Sequence, residues 1–185
     1  MERKFAASVW IWAADLGSDA AEDAALLEKI SHLGFDGVEI PTLDGYLDPD
    51  GTQEILSTEG KKHRPLAPII IGGGLAETDL SSESATIRSQ GASYVRRLID
   101  LSAELNGELV CGPLYSAVGA KRSLSERERS KVLDILTQEF KNLGKYARER
   151  SVRLALEPLC RYDTYLINTT AHLLSVWVIL SAIFP

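Results

Sequence analysis

One pattern constrains this chain above all others: a short apolar run followed by a stretch of helical periodicity, repeated along its length. The runs are "FAASVWIW" (5–12), "FDGVEI" (35–40), "PLAPIII" (65–71), "ELVCG" (108–112) and "VRLALE" (152–157). After the first, Leu26, Leu27, Ile30 and Leu33 make an apolar stripe, with Asp19 and Glu22 as a capping box and Gly34 as the stop. A long helix is expected over about 84–106, in which Gly91 is a mild flaw, and another after the box of Ser125 and Glu128. Five strands alternating with helices predict parallel β/α architecture.

Two such architectures exist, the open doubly wound sheet and the (β/α) barrel. No Gly-x-Gly-x-x-Gly follows the first run, and Gly72–Gly74 read as a close-packed turn rather than a phosphate cradle. Alternation along the strands favours a barrel. Val38 and Ile40 share one face of their strand, and Gly37 and Glu39 the other; Leu154 and Leu156 oppose Arg153, Ala155 and Glu157. Aliphatics facing helices, with a carboxylate at the C-terminal end of the opposite face, suit the polar mouth of a TIM-type barrel.

Bulk properties exclude little but exclude it cleanly. At 185 residues the chain holds one domain, and its net charge of −6 argues against nucleic acid or an anionic membrane surface as a partner. Cys111 and Cys160 form neither a disulfide framework nor a metal knuckle and read as two reduced, buried thiols of a cytoplasmic protein. The start, "MERKFAASVWIWAADLG", has a signal-like apolar stretch, but Glu2 dilutes its basic end and the same residues serve as a strand. The run "LLSVWVILSAIF" near the end is too short to span a bilayer.

Glu157 has two readings from position alone. It caps a turn or pairs with Arg161, or it is a hard oxygen ligand or base at the barrel mouth. Tyr115 either packs beneath its loop or walls a pocket. Trp10 and Trp12 either join the core or form an aromatic wall for the apolar face of a sugar.

Four stretches carry a family resemblance. "LALEPLCRYDTYLINT" (154–169) resembles the fifth-strand signature of the D-tagatose/D-psicose 3-epimerases, within the xylose isomerase-like TIM barrels. "LGFDGVEIP" (33–41), "DLSSESATIRSQGASYVRRLIDLSAELNG" (79–107) and "GPLYSAVG" (112–119) resemble that family's second strand, third helix and fourth β/α loop. The similarity runs to about residue 171. It implies a sugar isomerase or epimerase that inverts a ketose at C3 by metal-assisted proton transfer through an enediolate, acting on a free ketose or a sugar phosphate.

Carried over by position, Glu157 matches the metal-binding carboxylate that also works as acid and base. Asp163 matches a substrate-binding carboxylate, usually a Glu, shortened here by one methylene. Cys160 stands where the family has Asn, a departure that loosens a local hydrogen bond. Glu39 and Tyr115 fall at substrate-binding positions, and Trp10 and Trp12 at the end of strand one. The implied cofactor is a divalent metal, Mn²⁺ or Mg²⁺, with Co²⁺ also admissible.

A full barrel needs about 250 residues and eight strands, whereas residues 1–172 read as its first five β/α units. The resemblance places the other metal ligands on strands six, seven and eight, so metal binding and activity by this chain alone are not expected. Residues 173–185 contain no charge and read as a non-homologous tail, and the whole as C-terminally truncated. Two alternatives accompany this reading. One is a non-catalytic half-barrel that binds a partner or forms a homo-oligomer, and the other is an enzyme like inosose dehydratase or hydroxypyruvate isomerase.

Overall fold

In the computed structural model, which describes residues 4–12, 20–42, 52, 56 and 66–174, the five expected strands form one parallel sheet. The strands are β1 (Ala6–Ser8), β2 (Gly37–Pro41), β3 (Ala67–Ile71), β4 (Leu109–Gly112) and β5 (Arg153–Leu156). The helices are α1 (Ala20–His32), α2 (Ala85–Glu104) and α3 (Glu126–Arg148), with a helical turn at residues 170–174. The spatial order β1-β2-β3-β4-β5 follows the chain. A doubly wound sheet reverses order at a switch point; here each strand adds on the same side, as the wall of a TIM-type barrel does.

Register explains the two faces. Ser8 pairs with Glu39, Glu39 with Ile69, Ile69 with Leu109 and Leu109 with Arg153, so this row lies on one face. The alternate row, Ala7, Val38, Ile40, Ile70 and Val110, is at most 2% exposed. It lies beneath the helices: α2 packs on β3 and β4, and α3 on β5 and α2. On the opposite, concave face Ser8, Glu39, Ile69, Leu109, Cys111 and Ala155 are only half-buried. The core therefore lies between sheet and helices, and the concave face is left to the site.

Local departures have local causes. The first strand ends at Ser8 rather than at residue 12, because Val9–Ile11 turns into a 3-10 helix closed by the Trp12 amide donating to the Val9 carbonyl. Leu33 is 59% exposed, since α1 stops at His32 and the chain turns before the apolar stripe is complete. The capping box at Asp19 lies outside the described residues, as does the tail beyond residue 174. At Ser125 the box forms as read: its hydroxyl accepts from the Glu128 amide, and the Glu128 carboxylate accepts from the Ser125 amide.

Gly91 is a requirement of the fold rather than a flaw. A β-carbon there would collide with the carbonyl of Thr78, so glycine lets α2 lie directly on the 3-10 turn at Ala76–Thr78. The glycine turn after β3 is close-packed in the same way. At Gly72 a side chain would meet Leu98, and its carbonyl sits where a β-carbon of Gly112 would be.

Candidate active site

The concave face gathers three ionisable side chains. Glu39 is in the middle of β2 and Cys111 lies on β4, where it pairs with Ala155 of β5. Glu157 continues the parity of Ala155 just beyond β5, its amide donating to the Gly112 carbonyl at 3.0 Å. Pro158 follows and holds Glu157 in extended backbone. Nothing in the apolar "VRLAL" demands a carboxylate there; the concave mouth is what receives it.

The electrostatics link the three. Burial, and then the charge of Glu157, push the Glu39 carboxyl above its ordinary range. The Cys111 thiol is pushed up to about 12 by burial, then by Glu39 and Glu157. It is a neutral thiol at any physiological pH. The described region thus places two carboxylates and a protonated thiol within one another's field, on a face that β-strand alternation alone orients.

Two loops enclose this corner, and they are tied together. The loop after β4 is the "GPLYSAVG" stretch, and the loop after β5 runs through residues 157–168. Tyr115 is fully buried, and its hydroxyl lies 3.1 Å from the carbonyl oxygen of Glu157 and 3.0 Å from that of Ile167, its proton shared between them. The hydroxyls of Ser116 and Thr164 are 3.0 Å apart, and the Gly119 amide donates to the Asp163 carbonyl. Arg129 on α3 donates to the carbonyls of Leu166 and Tyr165. Asn168 Nδ2 donates to the carbonyls of Leu159 and Thr164.

The expected site residues are placed as follows. Glu39 is half-buried and Glu157 exposed, and the charge of Glu157 reaches Glu39. Asp163 is half-buried in the turn after β5, its carboxylate accepting from the Cys160 thiol at 2.9 Å. Tyr115 is fully enclosed, in the framework under the loops rather than on a pocket wall. Trp10 is 48% exposed in the 3-10 turn, and Trp12 packs toward α1, with Lys29 Nζ 5.2 Å from its ring centroid. Because the chain leaves the strand at Ser8, neither tryptophan continues β1 toward the mouth. Cys160 is exposed and Cys111 half-buried, which corrects the reading of both as buried; both are free thiols. Arg161 is exposed and pairs with no carboxylate among the described residues, so a Glu157–Arg161 ion pair does not form.

Sequence reasoning passed over Cys111 and Arg129. For Cys111 a signal existed: in "LVCG" it alternates with Val110 and so shares the face of Leu109. For Arg129 there was none, because its acceptors are carbonyls about 36 residues away in the chain.

Among the described residues no group of three or more His, Cys, Asp or Glu side chains is placed to hold a metal ion. Glu39 and Glu157 are oxygen donors of the kind Mn²⁺ or Mg²⁺ takes, but two carboxylates are fewer ligands than a closed protein site supplies. The described residues alone therefore do not fit the implied metal. No helix among them is long and apolar enough to cross a membrane.

Comparison with known proteins bears on the fold and the family. Residues 27–178 match the family model described as xylose isomerase-like TIM barrel. The chain is 27% identical over 161 residues to an L-ribulose 3-epimerase of Methylomonas sp., a match covering 86% of this chain and 52% of that protein. It is 28% identical over 144 residues to a ketose 3-epimerase of Arthrobacter globiformis, covering 77% and 47%. Among solved structures, a D-allulose 3-epimerase from Methylomonas sp. in complex with D-allulose superposes with a TM-score of 0.82 at 24% identity, over 96% of this chain and 59% of the other. The chain spans about half the length of the curated relatives it matches.

Proposed function

The chain belongs to the xylose isomerase-like TIM barrel family, and from that premise we propose that it provides one flank of a ketose 3-epimerase site. The observation that carries the reading is that Glu39 and Glu157 share the concave face, where burial first and then the Glu157 charge raise the Glu39 carboxyl. Glu157 is the group that removes a proton. A ketose held at the mouth with its C3–H toward Glu157 would give that proton to the carboxylate, the C–H electron pair becoming part of an enediolate across C2 and C3. Glu39, half-buried on the same face, hydrogen-bonds a sugar hydroxyl. Asp163 binds hydroxyls near the reacting end.

Inversion at C3 requires a second acid on the opposite side of the sugar. That second acid is assigned to no residue of this flank, and among the described residues no group of three or more His, Cys, Asp or Glu side chains is placed to hold a metal ion. The five β/α units therefore bind ketose without inverting it, unless a further polypeptide closes the mouth. The metal implied by the family, Mn²⁺ or Mg²⁺, would supply positive charge to an enediolate.

A second reading, a half-barrel that associates with a partner, is favoured by one feature. An apolar groove of about 890 Å³ runs between α3, β5 and the turn at 170–174, lined by Phe140, Leu154, Leu156 and Leu173. Such a groove beside an open sheet edge is a site of association.

The test is ketose binding by saturation-transfer NMR and D-fructose/D-psicose interconversion, each with and without Mn²⁺, for the chain and for Glu157→Gln and Asp163→Asn. The expected outcome is binding that weakens at least tenfold in both variants, with no interconversion. Absence of ketose binding, or binding equal in Glu157→Gln, would overturn the assignment.

A further inference from the structure

Glu157 sits at the mouth of a loop, and a loop end is free to swing unless something holds it. The side chain that holds it lies on the neighbouring loop, after β4. Tyr115 has no exposed surface. Its hydroxyl lies 3.1 Å from the carbonyl oxygen of Glu157 and 3.0 Å from that of Ile167, the two ends of the excursion 157–167. The Leu159 amide reinforces the same neck by donating to the Ile167 carbonyl at 3.2 Å. With Pro158 restricting the residue before it and the Glu157 amide tied to Gly112, the tyrosine hydroxyl fixes the remaining free group of the Glu157 backbone.

We propose that Tyr115 is a positioning residue for Glu157, holding its peptide at the neck of the loop after β5 and so fixing where its carboxylate leaves the backbone. The proposal rests on the reading of Glu157 as the reactive carboxylate of the site, and it gives the tyrosine of "GPLYSAVG" a role distinct from touching substrate. It also accounts for the pairing of two motifs distant in sequence: one loop supplies the carboxylate and the other sets its aim. A hydroxyl buried only for packing would leave the carboxylate's neighbours indifferent to its loss.

Those neighbours supply the test. The groups facing Glu157 on the concave side are Glu39 on β2 and Cys111 on β4, and the Glu157 charge acts on both. The Glu39 carboxyl, followed by ¹³C NMR in the full chain, reports where that charge lies. In Glu157→Gln the Glu39 titration shifts to lower pH. In Tyr115→Phe, which deletes one oxygen and keeps the ring, it shifts in the same direction, part or all of the way.

Tyr115→4-aminophenylalanine retains a donor and returns the titration to its wild-type position. Tyr146→Phe, which loses a hydroxyl bonded to Asp100 on the helical side, leaves it in place. The proposal is overturned if Glu39 titrates in Tyr115→Phe as in the wild type while Glu157→Gln moves it. It is overturned, together with the site, if Glu157→Gln moves nothing. Should Tyr115→Phe unfold, the 4-aminophenylalanine variant decides: a folded protein with a Glu39 titration displaced from the wild type overturns the proposal, and an undisplaced one sustains it. Titrations as expected without ketose binding would sink the proposed function and leave the positioning role standing.

Discussion

The Cys160 thiol donates to Asp163 Oδ2 at 2.9 Å, closing the turn in which the Asp163 amide donates back to the Cys160 carbonyl. The thiol that stands where the family pattern has asparagine thus has a partner of its own in this turn. The turn holds Asp163 beside the Gly119 amide, which donates to its carbonyl.

The two thiols therefore differ in reactivity. Cys160 is exposed, whereas Cys111 is half-buried with its thiol pushed up to about 12 by burial and by Glu39 and Glu157. At pH 8 roughly one Cys111 in ten thousand is the reactive thiolate. Ellman's reagent should give one fast and one slow phase, the fast one absent in Cys160→Ser. Glu157→Gln removes a charge that raises the Cys111 thiol and should quicken the slow phase; a single phase for both thiols would contradict this.

Glu39 makes stability depend on pH. Its folded-state carboxyl is raised by burial, then by Glu157. The unfolded chain releases that proton at ordinary carboxylate pH and the folded chain only above it. Stability from this group is thus fully present below the unfolded value and is lost as pH rises through the folded one. Glu39→Gln cannot ionise, so relative to the wild type it should gain stability as pH rises through that window and hold the gain above it. Urea midpoints from pH 4 to 8 measure this, and a pH-independent difference would count against the Glu39–Glu157 pairing.

Gly91→Ala pits two effects against each other. Helix propensity favours alanine by about 1 kcal/mol, but the added methyl collides with the Thr78 carbonyl, and overpacking against rigid backbone costs about 1–3 kcal/mol. The collision should win, with net destabilisation in urea unfolding. Stabilisation would mean that the 3-10 turn at Ala76–Thr78 yields easily.

Arg129→Met keeps the aliphatic stem and removes both bonds to the carbonyls of Leu166 and Tyr165. Both residues are buried, so the carbonyls lose partners that water does not readily replace. Hydrogen bonds from a charged group contribute about 1.5–3 kcal/mol, and a loss of that order is expected in chemical unfolding. Amide exchange should speed up selectively over residues 163–168.

Periodicity carried most of the architecture. Val38, Ile40 and Val110 are buried because alternation puts them on the helical face, and α2 and α3 follow their 3.6-residue stripes. What alternation did not reveal was where a strand gives way to another backbone: "FAASVWIW" is apolar throughout, and only the 3-10 turn after Ser8 separates Trp10 and Trp12 from β1. Gly91 looked like a weakness for the same reason, since its value lies in a contact with Thr78 across a turn.

The sequence by itself determined the β/α alternation, the parallel sheet, the family and the face on which Glu39 and Glu157 stand, because period, register and motif are local properties of the chain. Tertiary structure decided which groups act on one another. Cys111 between two carboxylates, Tyr115 on the Glu157 carbonyl and Arg129 on the loop after β5 are meetings of residues dozens of positions apart. They depend on strand order and loop path, and one-dimensional spacing does not encode a distance between chain segments that touch only once the sheet has formed.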